Sequence, residues 1–388
     1  MYTSVNFESQ YQSSKVSALK GRYISNTDIE PLIEALPHSF RTSVLGHSER
    51  ALPIYGLKVG TGPKRILVWS QMHGNESTTT KALFDLFNFL CLDAYKYILN
   101  TCTLFIIPIL NPDGAAAYTR LNANKVDLNR DAIDKSQNES VILKTAFKTF
   151  DPHFCFNMHG QRSIFSAGKT SNSAVVSFLS PSENEARTLT KTRTKSMLII
   201  EAINKVLQGY LPNQVGRYDD AFNPNCVGDQ FQCLGVPTVL FEAGHYPKDY
   251  QREETRKYIT LSLITGLDSI AHNEINGNDV SAYFEIPENN KLFNDVIIRN
   301  AQLDSNHPST FFDIAIQFKE VLTNGSLVFV PNIEEIGDLS DKHAHLDLNA
   351  NFKLVTHPDF EKLSENYEID FLFVDSIKKI LFDKNNLT

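Results

Sequence analysis

Between about residues 25 and 270 the chain alternates short apolar runs with longer stretches of helical period, an order that few architectures accept. Strand-like runs fall at 52–58, 65–70, 103–109, 153–158, 174–179 and 237–241, and helix-like segments at 28–36, 77–98, 136–150, 181–208 and 250–270. Several runs, such as Arg65-Ile-Leu-Val-Trp-Ser70, are continuously apolar, as strands buried on both faces must be. The order predicts an α/β fold, a mixed and largely parallel sheet with helices on both faces. Near residue 275 the texture changes: Asn273-Glu-Ile-Asn-Gly-Asn278 is polar and turn-rich, and beyond it apolar residues recur every second position. Ile314, Ile316 and Phe318 oppose Ala315, Gln317 and Lys319, and Leu346, Leu348, Ala350, Phe352 and Leu354 repeat the pattern. Asn324-Gly325 between two such runs is a hairpin turn. The chain therefore divides into a large α/β domain, 1–272, and a small strand-rich domain, 275–388.

Charge narrows the partners. A net charge of -8 argues against a nucleic-acid or anionic-membrane surface. No apolar run approaches the roughly 20 residues of a membrane span. The first ten residues show neither a basic nor an apolar signal region, so the cytoplasm is the expected location. The five cysteines are odd in number and form no C-x-x-C pair, which points away from a disulfide framework or a cysteine zinc site.

The run 65–70 leads directly into Ser70-Gln-Met-His73-Gly-Asn-Glu76-Ser77 and a helical segment. An imidazole and a carboxylate three residues apart on a first helical turn share one face, the relation a single zinc ion needs from two ligands. Such pairs also arise by chance and are then merely solvated. A third ligand is expected where another strand ends, since ligands of open α/β sheets gather beyond the carboxyl ends of strands. His159, closing Phe154-Cys-Phe-Asn-Met-His159-Gly160, meets that condition; His153 belongs at the opposite end of the strand, too far away to bind. Two imidazoles and one carboxylate leave a tetrahedral zinc with one open position. Amide hydrolysis also needs a base, and Glu242 ends the apolar run Pro237-Thr-Val-Leu-Phe-Glu242, where a carboxylate is costly unless it faces a site. Arg120 supplies a charged donor for an oxyanion and Arg130 a bidentate clamp for a carboxylate, although exposed arginines are commonly just solvated.

Taken in order, His73-Gly-Asn-Glu76, Asn111-Pro-Asp-Gly114, Arg120, Asp127-Leu-Asn129-Arg130, His159-Gly160 and Phe241-Glu242-Ala-Gly244 resemble the zinc metallocarboxypeptidases of the pancreatic type over residues 25–270. The stretch 45–58 looks like that family's N-terminal hairpin, and the compact loops between Arg120 and Asn129 resemble bacterial murein-peptide amidases more than secreted digestive enzymes. The resemblance implies one zinc ion on His73, Glu76 and His159, Glu242 as general base and Arg120 on the oxyanion. It further implies that Asn129 and Arg130 hold the terminal carboxylate; Tyr218 lies near, but not in register with, the position of the family's substrate-capping tyrosine and is either that residue or a packed surface aromatic. Asp229 falls near the floor of the specificity pocket, with Gly228 where the selecting side chain would be. Asp131-Ala132 replaces the Asn-Phe that follows the Asn-Arg pair in many members, which alters the rim of the pocket.

The expected activity is hydrolysis of an amide next to a free carboxylate, with a peptide or an acylated amino acid as substrate. An N-acyl amino acid deacylase of the aspartoacylase or succinylglutamate desuccinylase type shares two of these motifs and is the enzyme alternative. A non-catalytic peptide binder of the same fold is the alternative outside enzymes.

Overall fold

The computed structural model describes residues 4–272, 275 and 277–381, so part of the turn-rich stretch 273–278 lies outside the described residues. Two compact units result, Met1–Gln161 with Ala174–Asn289, and Arg162–Ser173 with Asn290–Thr388. The first unit thus runs on to Asn289, past the division expected at 272–275, and the excursion Arg162–Ser173 groups with the second.

In the first unit the strands β1 (Arg41–His47), β2 (Pro53–Val59), β3 (Lys64–Trp69), β4 (Cys102–Ile107), β5 (Phe154–Gly160), β6 (Val176–Leu179), β7 (Val215–Arg217) and β8 (Thr238–Ala243) form one mixed sheet. Its order is β1-β2-β4-β3-β5-β8-β6-β7. The centre, β4-β3-β5-β8, is parallel, while β1 with β2, β2 with β4 and β6 with β8 are antiparallel. Interleaved are α1 (Ser4–Ser14), α2 (Asn26–Glu34), α3 (Thr78–Cys91), α4 (Lys96–Thr101), α5 (Pro112–Ala117), α6 (Asn138–Phe150), α7 (Lys191–Leu207), α8 (Val227–Cys233) and α9 (Glu253–Ala271).

The continuous apolar runs are explained by a core on each face. Ile66, Val68, Leu104, Ile106, Phe156 and Met158 join one core with α3, α7 and α9. Their neighbours Leu67, Trp69 and Cys155 turn to the other, against Leu143, Phe147 and Phe150 of α6 and Phe231 of α8. Each large side chain so buried contributes about 1.5–3 kcal/mol relative to exposure.

Two helical expectations were too long. The segment 77–98 breaks after Cys91, where Leu92 is extended (ψ 143°), and the restart sets Tyr95 edge-on to Phe89 at 5.4 Å in the core. The segment 181–208 becomes helical only at Lys191, where the Thr190 hydroxyl accepts from the Arg193 N–H at 3.1 Å and caps the helix. No helix among the described residues is long and apolar enough to cross a membrane.

In the second unit β9 (Phe293–Gln302), β10 (Phe311–Thr323), β11 (Ser326–Gly337) and β12 (His343–Asn349) form a sheet of order β11-β10-β9-β12. A smaller sheet joins β13 (Val355–Thr356), β14 (Phe371–Val374) and β15 (Ile377–Ile380). Thr323 pairs with Ser326 across Asn324 and Gly325, both at positive φ (50° and 74°), the hairpin turn expected. Ile314 and Ile316 are buried, but so is Gln317, whose amide donates to the Ser163 hydroxyl at 2.8 Å and to the Asp295 carboxylate. The second alternating stretch behaves otherwise. β12 is an edge strand that stops at Asn349, Asn351 and Phe352 turn at φ 53° and 62°, and Leu346 and Phe352 stay exposed.

Candidate active site

Beyond Trp69, the last residue of β3, the chain must bend at once to stay near the strand ends. Gln71 takes φ 43°, a left-handed conformation uncommon outside glycine, and its buried amide holds it by donating to the carbonyls of Ile24 (3.0 Å) and Gly74 (2.8 Å). A turn closed by the Glu76 N–H on the His73 carbonyl, 3.1 Å, then sets the two side chains together. The pair was expected on a first helical turn. Since α3 starts only at Thr78, this preceding turn supplies the geometry instead.

Asn111-Pro112-Asp113-Gly114 supports that turn from below. Asn111 caps α5 by accepting from the Gly114 N–H at 2.8 Å, and its amide donates to the Met72 carbonyl at 3.2 Å. The motif is a helix cap with proline at the first position. Gly74 packs so closely on it that a β-carbon there would lie 1.9 Å from the Gly114 carbonyl carbon.

β5 brings His159 to the same place. Its Nδ1 lies 3.0 Å from Glu76 Oε2 and 3.1 Å from His73 Nδ1, while His73 Nδ1 lies 2.9 Å from Glu76 Oε1. The Gly160 N–H donates to Glu76 Oε2 at 2.9 Å. One atom from each of the three side chains falls within 4.8 Å of the others. His153 is at the far end of the strand, where its Nδ1 accepts from the Arg65 N–H.

Asp127 was not assigned a role from the sequence. Asp127, N-cap of the 3-10 turn Leu128–Arg130, is 3.0 Å from His73 Nε2 through Oδ1, while Oδ2 accepts from Arg120 Nε (3.1 Å) and Nη2 (3.0 Å). A proton on His73 Nε2 leaves the Nδ1 lone pair facing Glu76 and His159. Arg120 also approaches Glu76, with Nη1 3.5 Å from Oε1. Burial opposes the charge on His73, but Glu76 and Asp127 outweigh it and the pKa rises. Burial would raise the Glu76 carboxyl too, yet the two imidazoles hold it well below the usual range. His159 is lowered, by burial first.

Glu242 pairs in register with His159 across β5 and β8. Its Oε2 is buried with no hydrogen-bond partner among the described residues. Burial pushes its pKa well above the ordinary value and the Glu76 charge adds to that, with Arg120 opposing. The same carboxylates raise Tyr218 after burial does, and Tyr218 hydrogen-bonds Asn289. Asn289 in turn donates to Gln161 Oε1 at 3.0 Å. This placement of Tyr218 brings it to the site; Asn289 went unnoticed because it follows the expected end of the domain.

Asn129 Oδ1 accepts from the Val227 N–H at 3.1 Å, which fixes the start of α8. Arg130 is exposed, donates to the Asn129 carbonyl at 2.7 Å, lies 3.0 Å from Cys226 Sγ and has no carboxylate partner among the described residues. Asp229, in α8, is buried and its pKa is pushed up to about 6, chiefly by burial, with Arg130 among the charges opposing. Asp131 is structural, accepting from the Ser136 and Gln137 N–H groups at 2.9 and 3.1 Å.

Residues 26–204 match the model of the family described as zinc carboxypeptidase. Carboxypeptidase SOL1 of Arabidopsis thaliana is 31% identical over 129 residues, 29% of this chain and 26% of that protein. Carboxypeptidase 2 of Trichophyton tonsurans is 31% identical over 110 residues, 27% of this chain and 20% of that protein. The matches thus span about a quarter or less of those relatives' length. A solved metallo-carboxypeptidase from Pseudomonas aeruginosa, in complex with (2-guanidinoethylmercapto)succinic acid, shares the fold with a TM-score of 0.54 at 17% identity, covering 65% of this chain and 70% of that one.

Proposed function

We propose, for a chain whose residues 26–204 belong to the zinc carboxypeptidase family, that it hydrolyses the amide bond next to a free carboxylate in a peptide or an acylated amino acid. The observation that carries this reading is the convergence of His73, Glu76 and His159 beside Glu242, whose buried Oε2 has no hydrogen-bond partner among the described residues.

The residues fit a zinc ion. Two imidazole nitrogens and a carboxylate are the donor set of a hydrolytic site. Glu76 and Asp127 are both held in the charged carboxylate form around these imidazoles, negative charge that a divalent cation complements. Zinc held by His73, Glu76 and His159 would supply Lewis acidity toward the scissile carbonyl and toward water.

The chain's own groups do the rest. Asp127 keeps the His73 proton on Nε2 and the ring in place. Glu242, with a free buried oxygen, takes the proton of the attacking water and passes it to the leaving amine. Arg120, held in plane by Asp127, offers its remaining N–H groups to the oxygen that becomes negative. Arg130, with no carboxylate partner among the described residues, clamps the substrate's terminal carboxylate with Asn129, Tyr218 closes over the bound residue, and Asp229 lies below it.

The test is Glu242→Gln in the zinc-loaded protein. Loss of a general base lowers kcat by about 10²–10⁴-fold, with zinc content unchanged. Full activity in that variant removes Glu242 from the reaction. Wild-type digestion of C-terminal peptides, murein fragments and N-acyl amino acids, read by mass spectrometry, identifies the substrate; no release from any of the three defeats the proposal.

A further inference from the structure

The first unit has a cavity of about 610 Å³ at the start of the parallel strands rather than at their ends. It is walled by Val59 to Pro63, by Arg65 and Thr103 at the beginnings of β3 and β4, and by Phe150. A six-residue strand is about 20 Å long, so this cavity and the His73 centre lie at opposite ends of β3. Every charged side chain lining it is a cation: Arg41, Lys58, Arg65 and Lys96. On a chain of net charge -8 that local sign is the reverse of the whole.

The arrangement is costly if nothing binds. Arg41 and Lys58 are direct cross-strand partners on the β1–β2 hairpin, and like charges so placed repel. Neither has a carboxylate partner among the described residues; the Lys58 ammonium rests 5.6 Å above the Phe150 ring instead. Arg65 and Lys96 have partners, Asp151 and Asp93 at 2.6 Å, but both acids are largely solvent-exposed, and such pairs hold their cations weakly. In the wall between them the Thr61 N–H donates to the Leu99 carbonyl at 2.9 Å and Gly60 turns the chain at φ 90°.

We infer that this cavity binds a small molecule carrying several negative charges, with Arg41 and Lys58 as its principal contacts. The volume suits a ligand of nucleotide size, for which sites run to roughly 300–1,000 Å³. Phosphate and carboxylate groups present the same chemistry to these cations, and guanidinium grips either in a bidentate fashion.

Calorimetric titration of the full zinc-loaded chain with pyrophosphate, and separately with citrate, tests this at low ionic strength. Saturable binding by either probe is expected, and the tighter of the two tells whether phosphate or carboxylate is the preferred group. Arg41→Ala and Lys58→Ala should each weaken it by about tenfold or more, the loss of one charge-assisted hydrogen bond. Lys96→Glu, on a helix away from the hairpin, should weaken it comparably, which keeps the test valid if a hairpin variant misfolds. Peptide hydrolysis should be unchanged in all three. Absence of saturable heat with both probes, or wild-type affinity in these variants, overturns the inference.

Discussion

In the proposed mechanism one carboxylate, Asp127, serves both metal holding and oxyanion holding, and two substitutions at that position separate the roles. Its Oδ1 meets His73 Nε2 at 3.0 Å and accepts the Asn129 N–H at 2.9 Å, while Oδ2 takes two guanidinium N–H groups of Arg120 at 3.1 and 3.0 Å. In Asp127→Ala the His73 ring loses the partner that orients it, and loss of such a partner costs about 10–100-fold in metal affinity, or roughly 1.4–2.7 kcal/mol. Arg120 loses its anchor in the same variant. Asp127→Asn behaves differently: the amide oxygen still accepts from His73 and Asn129, but the NH₂ group then faces the N–H groups of Arg120, donor against donor. Zinc affinity in Asp127→Asn should therefore fall by no more than about tenfold. Turnover should fall by about 10²–10³, as when an oxyanion donor is withdrawn. Competition with a chromogenic chelator gives the first quantity, and kcat on a cleaved substrate gives the second. Wild-type zinc affinity in Asp127→Ala, or full kcat in Asp127→Asn, refutes the shared role.

Arg256 and Asp85 form a fully buried ion pair at 2.6 Å, and Arg256 also donates to the carbonyls of Val16 (2.9 Å) and Leu19 (2.6 Å). Arg256→Ala leaves Asp85 buried without its counter-charge and should cost about 3–5 kcal/mol in denaturant unfolding, with early proteolysis near residue 16; a loss below about 1 kcal/mol would contradict the pairing. Asp229 tests the pH dependence. Its folded-state pKa, raised to about 6, means that the protonated carboxyl is favoured in the fold; the favourable contribution is complete below about pH 4 and is lost as pH rises through 6. Asp229→Asn should thus match wild type at about pH 4 and exceed it at pH 7–8 by up to about 3 kcal/mol. Parallel stability profiles for the two proteins would show that Asp229 ionises without penalty.

What was legible in the sequence follows from how local each determinant is. The sheet could be read because β3 and β5 are buried on both faces, and that demand writes itself as unbroken apolar runs. His73, Glu76 and His159 could be read because strand ends of an α/β sheet converge whatever their separation along the chain. The pocket's finer parts could not. Asp127 is one acid among many until its carboxylate is seen bridging His73 and Arg120. Asn289 reaches Tyr218 from a segment whose composition suggested another domain. In the second unit, alternation at Leu346 through Leu354 was a poor guide, because period two marks a strand with two unlike faces but does not say that anything covers the apolar one. The basic cavity shows the same limit in reverse. Arg41, Lys58, Arg65 and Lys96 are scattered through 56 residues and look like ordinary solvated charges, and only the hairpin register that sets Arg41 against Lys58 turns them into a site. Chemistry that depends on pairing across strands is written in the register, and register is a property of two segments at once.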